Sequence, residues 1–130
     1  MDLKEKMEYW VDLADYDLAT AEALINTKRF LYVGYMCQLS IEKLLKALYV
    51  KTLEAVPPKI HSLSQLIKKI GIESELTEEL SDIIDKLELL NIEARYPTYK
   101  DEMFKILSND YCLSILSGTK ELTQWIKKKL

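Results

Sequence analysis

Apolar residues recur at three- and four-residue spacing along most of this 130-residue chain. That spacing predicts amphipathic helices, because side chains three and four positions apart share one helix face. In the first segment the repeating positions are Leu3, Met7, Trp10, Ala14, Leu18, Ala21 and Ile25. They predict a first helix from about Leu3 to Asn26, followed by a short polar break before the next apolar stretch.

A second helix is predicted from about Phe30 to Leu53, and it is apolar over much of its circumference. Its inner face comprises Val33, Cys37, Ser40, Ile41, Leu44, Leu45 and Leu48, widened in the first half by Tyr32, Met36 and Leu39. Such a helix is typical of the centre of a bundle. Gly34 lies inside it at a cost of about 1 kcal/mol relative to alanine. We therefore expect another helix to cross closely at Gly34.

Prolines and glycines divide the rest of the chain. Pro57 and Pro58 end the second helix, because proline lacks an amide hydrogen and restricts the residue before it. A short helix is predicted to start at His61 or Ser62, with Ser62 or His61 as its cap, and to run to about Ile70, where Gly71 stops it.

Two further long helices complete the pattern. The fourth helix is predicted from Thr77 to Ala94, with Ser74 or Thr77 as its cap, and residues 95–107 are expected to be irregular because they contain a proline. The last helix runs from about Ser108 or Asn109 to Lys129. No stretch alternates long enough for a strand. The sequence therefore predicts one all-α domain over residues 1–130, an up-and-down four-helix bundle with an additional short helix, five helices in total.

Composition narrows the function classes. The net charge of -3 argues against strong non-specific binding to nucleic acid but permits a local basic patch. Cys37 and Cys112 lie in apolar stretches, which indicates buried thiols in a reducing compartment. The first ten residues lack the apolar core of a signal peptide, and the longest weakly charged run, residues 30–41, is too short to span a bilayer. A cytoplasmic location without membrane contact is expected.

Four segments in order resemble the HEPN domain family (higher eukaryotes and prokaryotes nucleotide-binding). They are YWVDLADYDLATAEALI, YVGYMCQLSIEKLLKALYV, PPKIHSL and LNIEARYP. The resemblance covers nearly the whole chain. It implies a five-helix bundle, frequent dimers and association with nucleotides or RNA. Many prokaryotic members of the family form a two-component module with a minimal nucleotidyltransferase, often as toxin and antitoxin.

The resemblance also exposes a missing residue. Active ribonucleases of the wider superfamily carry an arginine, four to six residues, and then a histidine. Arg95 matches the arginine, but Lys100, Asp101 and Glu102 stand where the histidine would fall. This departure puts the metal-independent RNA cleavage of the family in doubt. We therefore assign no catalytic residue and expect no cofactor.

The residues around the end of the fourth helix are the first candidates for phosphate binding. The planar guanidinium of Arg95 matches phosphate oxygens, and Tyr96 and Tyr99 can stack on a base. The alternatives are structural. Arg95 would then satisfy the carbonyls that end the helix or pair with Glu93 or Asp17, and the tyrosines would cover the end of the bundle.

His61, the only histidine, is a further candidate because acid–base catalysis favours this residue type. Its position at the start of the short helix also fits a ring that caps the helix or packs on a neighbour. With no second ligand at metal spacing, no metal site is expected.

Lys43 and Lys46 can line an anionic pocket, whereas Glu42 and Lys46 are also spaced for an ion pair on a solvated face. Asp17 falls near the apolar stripe, where it would need Arg95 or a lysine as its partner.

Three hypotheses remain open. The first is a non-catalytic or weakly catalytic homodimer that binds nucleotide or RNA phosphate, or a nucleotidyltransferase partner. The second is a ribonuclease toxin in which His61, or positioning and electrostatics alone, replaces the missing histidine. The third is a purely structural interaction module. Broad apolar faces on the second and last helices predict the dimer.

Overall fold

Six α-helices make up most of the part of the chain that the structure describes. This computed structural model describes residues 1–96 and 100–130, with the backbone alone at residues 93 and 100. The helices are α1 (Leu3–Asn26), α2 (Val33–Leu53), α3 (Leu63–Ile70), α4 (Glu78–Arg95), α5 (Lys100–Ile106) and α6 (Asn109–Lys127). Single 3-10 turns at Phe30–Tyr32 and Glu73–Glu75 precede α2 and α4. No strand occurs within the described residues.

Helix α2 is the centre of the bundle, as its pattern predicts. It packs against α1, α3, α4 and α6, while α6 also contacts α1 and α4. The four long helices α1, α2, α4 and α6 form the up-and-down bundle, and α3 and α5 are short additions to it. The core side chains that lose all or nearly all contact with solvent include Ile41, Leu44, Leu45, Leu63, Leu66, Leu87, Leu122 and Ile126. Burial of such side chains is the main favourable contribution to folding.

Capping residues set the helix ends where the sequence places them. The side chain of Ser62 accepts from the Gln65 amide at the start of α3, and Thr77 does the same for Leu80 at the start of α4. Gly71 ends α3 in the left-handed conformation, at φ 87°.

Gly34 marks a close approach of α2 and α4. A Cβ atom added at Gly34 would lie 2.7 Å from Cδ1 and 2.8 Å from Cβ of Leu90. The Leu90 Cβ is tied to the α4 backbone, so it cannot move away without moving the helix. The expected close crossing at Gly34 is confirmed, and α4 is its partner.

Two predicted boundaries were wrong. Residues 95–107 were expected to be irregular, yet Lys100–Ile106 form α5, which makes six α-helices instead of five. Proline disturbs the residue before it and its own position, but a helix can start a few residues later. Met103 holds α5 on the bundle, because its side chain is 2% exposed. The second helix begins at Val33, since Phe30–Tyr32 adopt the tighter 3-10 turn.

Both cysteines are free and buried, as their apolar surroundings predict. Burial raises the pKa of the Cys37 thiol to about 11 and also raises the pKa of the Cys112 thiol. A protonated thiol is a weak nucleophile, so these residues behave as core side chains. Within the described residues, no helix has the length and apolar character needed to cross a membrane.

Candidate functional site

Arg95 lies at the carboxyl end of α4 with its side chain exposed to solvent. Its guanidinium carbon Cζ is 5.4 Å from the ring centroid of Tyr35 on α2, a cation–π contact that holds the head group over the ring face. Among the described residues, Arg95 forms no ion pair. With respect to the part of the chain that the structure describes, the hydrogen-bond donors of Arg95 therefore remain available to an anion from solvent.

The neighbours proposed for Arg95 are placed as follows. Tyr96 follows Arg95 directly, and its side chain is 56% exposed. Tyr99 lies outside the described residues, as does the side chain of Glu93. Asp17 is not a partner of Arg95, because its carboxylate pairs with Lys43. Arg95 and Tyr96 thus share one accessible end of α4.

His61 is held by a buried ion pair on α2. Its Nδ1 lies 3.1 Å from Oε1 and 3.3 Å from Oε2 of Glu42. The other side of that carboxylate accepts from Lys46 Nζ at 3.0 Å. The Lys46 Nζ in turn lies 5.5 Å from the ring centroid of Trp10. Because Glu42 faces Nδ1, the second ring nitrogen of His61 is left for other partners, and the His61 side chain is 64% exposed.

A cavity of about 260 Å³ opens beside His61 between α2, α4 and the start of α3. Its lining consists of Gln38, His61, Ser62, Glu88, Asn91 and Ile92. Two hydrogen bonds join residues of this lining: Asn91 Nδ2 donates to Gln38 Oε1 at 2.7 Å, and Gln38 Nε2 donates to the His61 carbonyl at 2.8 Å. Asn91 and Arg95 are one turn apart on α4, about 6 Å along its axis. The His61 cavity and the Arg95 end are therefore adjacent parts of the α2–α4 seam.

Glu88 has a structural role at the edge of this cavity. Its Oε1 accepts from the Ser62 hydroxyl and from the Ser64 amide, each at 3.2 Å. A carboxylate at the first turn of α3 satisfies free amides and interacts favourably with the positive end of the helix dipole. Glu88 thereby links α4 to the start of α3 and fixes the wall of the cavity.

The two lysines proposed for anion binding have partners inside the protein. Lys43 pairs with Asp17, whose carboxylate is buried. Lys46 pairs with Glu42 at the predicted spacing, but the predicted solvated face was wrong, since the two side chains are only 8% and 5% exposed. The positive charges of both lysines are compensated locally: Lys43 pairs with a residue of α1, whereas Lys46 pairs within α2, between His61 and Trp10.

Sequence reasoning missed several residues that complete this seam, namely Tyr35, Gln38, Glu42 and Asn91. One signal for them was present. Gln38, Glu42 and Lys46 recur at four-residue spacing in a helix that is otherwise apolar, so they form one polar line along α2. Polar groups on a buried helix need partners, and those partners identify the neighbouring chemistry. The contact of Tyr35 with Arg95 has no comparable signal, because it depends on how α2 crosses α4.

No group of three or more histidine, cysteine, aspartate or glutamate side chains is close enough to hold a metal ion in the described part of the chain. His61 faces a carboxylate that Lys46 already neutralises, which leaves little attraction for a cation at Glu42.

The model of the HEPN domain family matches residues 7–130 of this sequence. The chain belongs to the HEPN domain family. The matched region includes all the residues of the candidate site. No curated protein matches the sequence. Among solved structures, the crystal structure of TT1696 from Thermus thermophilus is similar, with a TM-score of 0.80 and 18% sequence identity. The superposition covers 96% of this HEPN domain and 98% of that chain, and at this identity it supports the fold alone.

The buried ion pair of this HEPN domain provides a test of the seam. Lys46→Met leaves the Glu42 carboxylate buried without its cation, so we expect the free energy of unfolding in urea to fall by about 3 kcal/mol. Glu42→Leu should cost a similar amount. Because each single variant strands a charge, the double variant should cost clearly less than the sum of the two.

Lys120→Met is the matched control, because the Lys120–Glu22 pair is about half exposed on both sides. Its cost should stay below about 1 kcal/mol. Additive losses in the Glu42/Lys46 cycle would show that the two charges do not depend on each other.

Proposed function

We propose that this HEPN domain is a homodimer that binds the phosphate of a nucleotide or of RNA at Arg95. It does not catalyse a reaction on that ligand. The observation that carries the proposal is the exposed guanidinium over Tyr35, which has no counter-ion among the described residues. An arginine already held against a ring loses little freedom when it forms paired hydrogen bonds to phosphate. Tyr96 adds an exposed ring at the same end of α4.

The roles of the other site residues depend on where they lie relative to the Arg95 end of α4 and on whether their charges are already paired. Asn91, which lines the same cavity as His61, lies one turn of α4 before Arg95, so a ligand that extends along the seam from Arg95 can reach His61. Tyr99 keeps its proposed role as a stacking residue. Lys43, Lys46 and Asp17 remain candidates, but their support is weaker because their charges are already paired.

The dimer is supported by a stripe on α4. Leu89, Ile92 and Tyr96 are spaced three and four residues apart on one face, and each is more than half exposed. The second helix, which was expected to offer an uncovered face, is instead covered within the monomer. A second copy can cover the α4 stripe with its own, since a two-fold interface places identical patches together. The dimer interface would then lie beside the Arg95 side chains of both copies.

A minimal nucleotidyltransferase is the proposed protein partner. This part of the proposal rests on the resemblance to prokaryotic family members that form such two-component modules. Recovery of a nucleotidyltransferase with the native protein from its own cell would support it, and recovery of the homodimer alone would argue against it.

The phosphate site is tested by thermal unfolding with ATP, GTP and AMP. A ligand that binds only the folded state at a hundred times its Kd adds about 2.7 kcal/mol of stability. We expect a rise in Tm for the wild type and none for Arg95→Ala. Lys69→Ala, which removes an exposed charge from α3, is the control and should keep the shift. An unchanged Tm with all three nucleotides would favour a purely structural module.

The dimer is tested by light scattering at micromolar concentration. Ile92→Glu places a charge at the centre of the α4 stripe, and we expect it to convert the dimer to a monomer. Val56→Glu introduces the same charge at a residue that is 78% exposed in the loop after α2, and it should leave the dimer intact. A monomeric wild type would remove this part of the proposal.

A ribonuclease toxin of a HEPN/nucleotidyltransferase module is the second candidate. Its support is the pairing of His61 with Glu42, since a carboxylate that holds one ring nitrogen leaves the other free to accept a proton. In this reaction His61 takes the proton of a ribose 2′-hydroxyl, the oxygen attacks the adjacent phosphorus, and Arg95 stabilises the developing charge. The bond to the 5′-oxygen breaks and that oxygen takes a proton from water, which leaves a 2′,3′-cyclic phosphate and a 5′-hydroxyl, while His61 later returns its proton to solvent.

Cleavage of RNA in the presence of EDTA tests this candidate. The ribonuclease would release 2′,3′-cyclic phosphate ends, and His61→Asn and Arg95→Ala would each abolish their formation while the fold is kept. Nucleotide-dependent stabilisation without any cleavage would leave the non-catalytic proposal standing and exclude the second candidate.

A further inference from the structure

A second cavity lies at the corner between α1 and α2, and no part of the proposed site includes it. It has a volume of about 430 Å³ and is lined by Lys28, Arg29, Phe30, Leu31, Tyr32 and Phe104. Five of these residues are consecutive, because the chain reverses direction here through the 3-10 turn Phe30–Tyr32. Phe104 comes from α5, which packs against that turn. The cavity therefore combines two cations with aromatic side chains.

The two cations carry charges that the described part of the chain does not compensate. Lys28 and Arg29 are both exposed, and neither forms an ion pair among the described residues. Cations after the end of α1 interact favourably with the helix dipole, which explains one positive charge there. It does not explain why Lys28 occupies a left-handed position, at φ 61°, where glycine is normally favoured. A side chain kept at such a position is consistent with a use for its charge.

The rings add a second property. Tyr32 is 50% exposed and Phe104 is 52% exposed, although rings of this size are normally more deeply buried. Aromatic faces beside uncompensated cations form the surface that single-stranded nucleic acid recognises, since bases stack on the rings while phosphates meet the charges. A ligand with charge alone, such as inorganic phosphate, would make no use of the rings.

Ring contacts through Tyr35 connect this cavity to the Arg95 end. The ring of Tyr32 lies 6.2 Å from the ring of Tyr35 in an edge-to-face contact, and the same Tyr35 ring lies under Arg95. One aromatic side chain thus separates the two places where a phosphate can be bound. A mononucleotide can occupy the Arg95 end alone, whereas a strand can continue from Arg95 across Tyr35 into the cavity.

We propose that the cavity formed by residues 28–32 and Phe104 is a second subsite, and that the preferred ligand of this domain is a single-stranded oligonucleotide. The inference rests on the proposed phosphate site at Arg95, which holds one phosphate of the strand. Lys28 and Arg29 bind the next phosphates, and Tyr32 and Phe104 stack on a neighbouring base.

The experiment compares AMP with a tetraadenylate that carries 2′-O-methyl groups, so that the strand cannot be cleaved. We expect the wild type to bind the tetramer at least tenfold more tightly than AMP, as one additional stacked base would give. Lys28→Ala combined with Arg29→Ala should remove this advantage and leave AMP binding unchanged. Each phosphate contact to a single strand contributes about 0.7 to the slope of log K against log salt. The Lys28/Arg29 variant should therefore have a slope that is smaller in magnitude by about 0.7 for each contact it loses.

Two controls separate charge from stacking. Lys68→Ala combined with Lys69→Ala removes the same charge from exposed positions of α3 and should keep the tetramer advantage. Phe104→Leu keeps an apolar side chain on α5 but removes the ring. It should weaken the tetramer while leaving an abasic tetramer of equal charge unaffected.

The failures are distinguishable. If AMP binding depends on Arg95 but the tetramer binds no better than AMP, the subsite is refuted and the proposed function stands. If the Lys28/Arg29 variant matches the Lys68/Lys69 control, the subsite is likewise refuted. If the variant instead changes the oligomeric state, this corner is an interface between copies and the inference is wrong. Absence of binding by both ligands refutes the subsite together with the phosphate site.

Discussion

The burial of Glu42 is the constraint on which the arrangement of this HEPN domain depends. A carboxylate in the centre of a helical bundle is costly unless it is paired and hydrogen-bonded. Lys46 supplies the charge from one turn further along α2, and His61 supplies a second contact from the loop before α3. The same carboxylate therefore connects the core to an exposed ring. Without this connection, the His61 ring would lose the polar contact that orients it.

The polar line on α2 places its partners in a definite order. Glu42 faces His61, Gln38 bonds both to the His61 carbonyl and to Asn91, and Tyr35 lies under Arg95. Each step along α2 thus matches a group on the α3 start or on α4. Chemistry that the sequence distributes over about sixty positions comes together along one seam because two helices run side by side.

The sequence was sufficient to predict the helical bundle but not the contacts along the α2–α4 seam. The first helix, the glycine crossing and the cap at Ser62 followed from local rules, because spacing, Cβ volume and amide satisfaction act within a few residues. Helix α5 was not predicted, because a nearby proline indicated irregular structure. The burial of Met103, which anchors this helix on the bundle, was not anticipated. Arg95 was found through a family resemblance, whereas Tyr35 depends on a crossing angle. Lys46 was expected in solvent, since a four-residue spacing to Glu42 does not reveal which helix covers both.

The contact between Gly34 and Leu90 has a consequence for how the seam can change. The absence of a side chain at Gly34 lets the Leu90 side chain pack directly on the backbone of α2, so the spacing of α2 and α4 is fixed by close packing there. This contact lies one turn before Gln38 on α2 and five residues before Arg95 on α4, among the groups that would meet a ligand. Adaptation to a bulkier ligand would therefore have to come from the flanking loops, while the distance between α2 and α4 stays fixed.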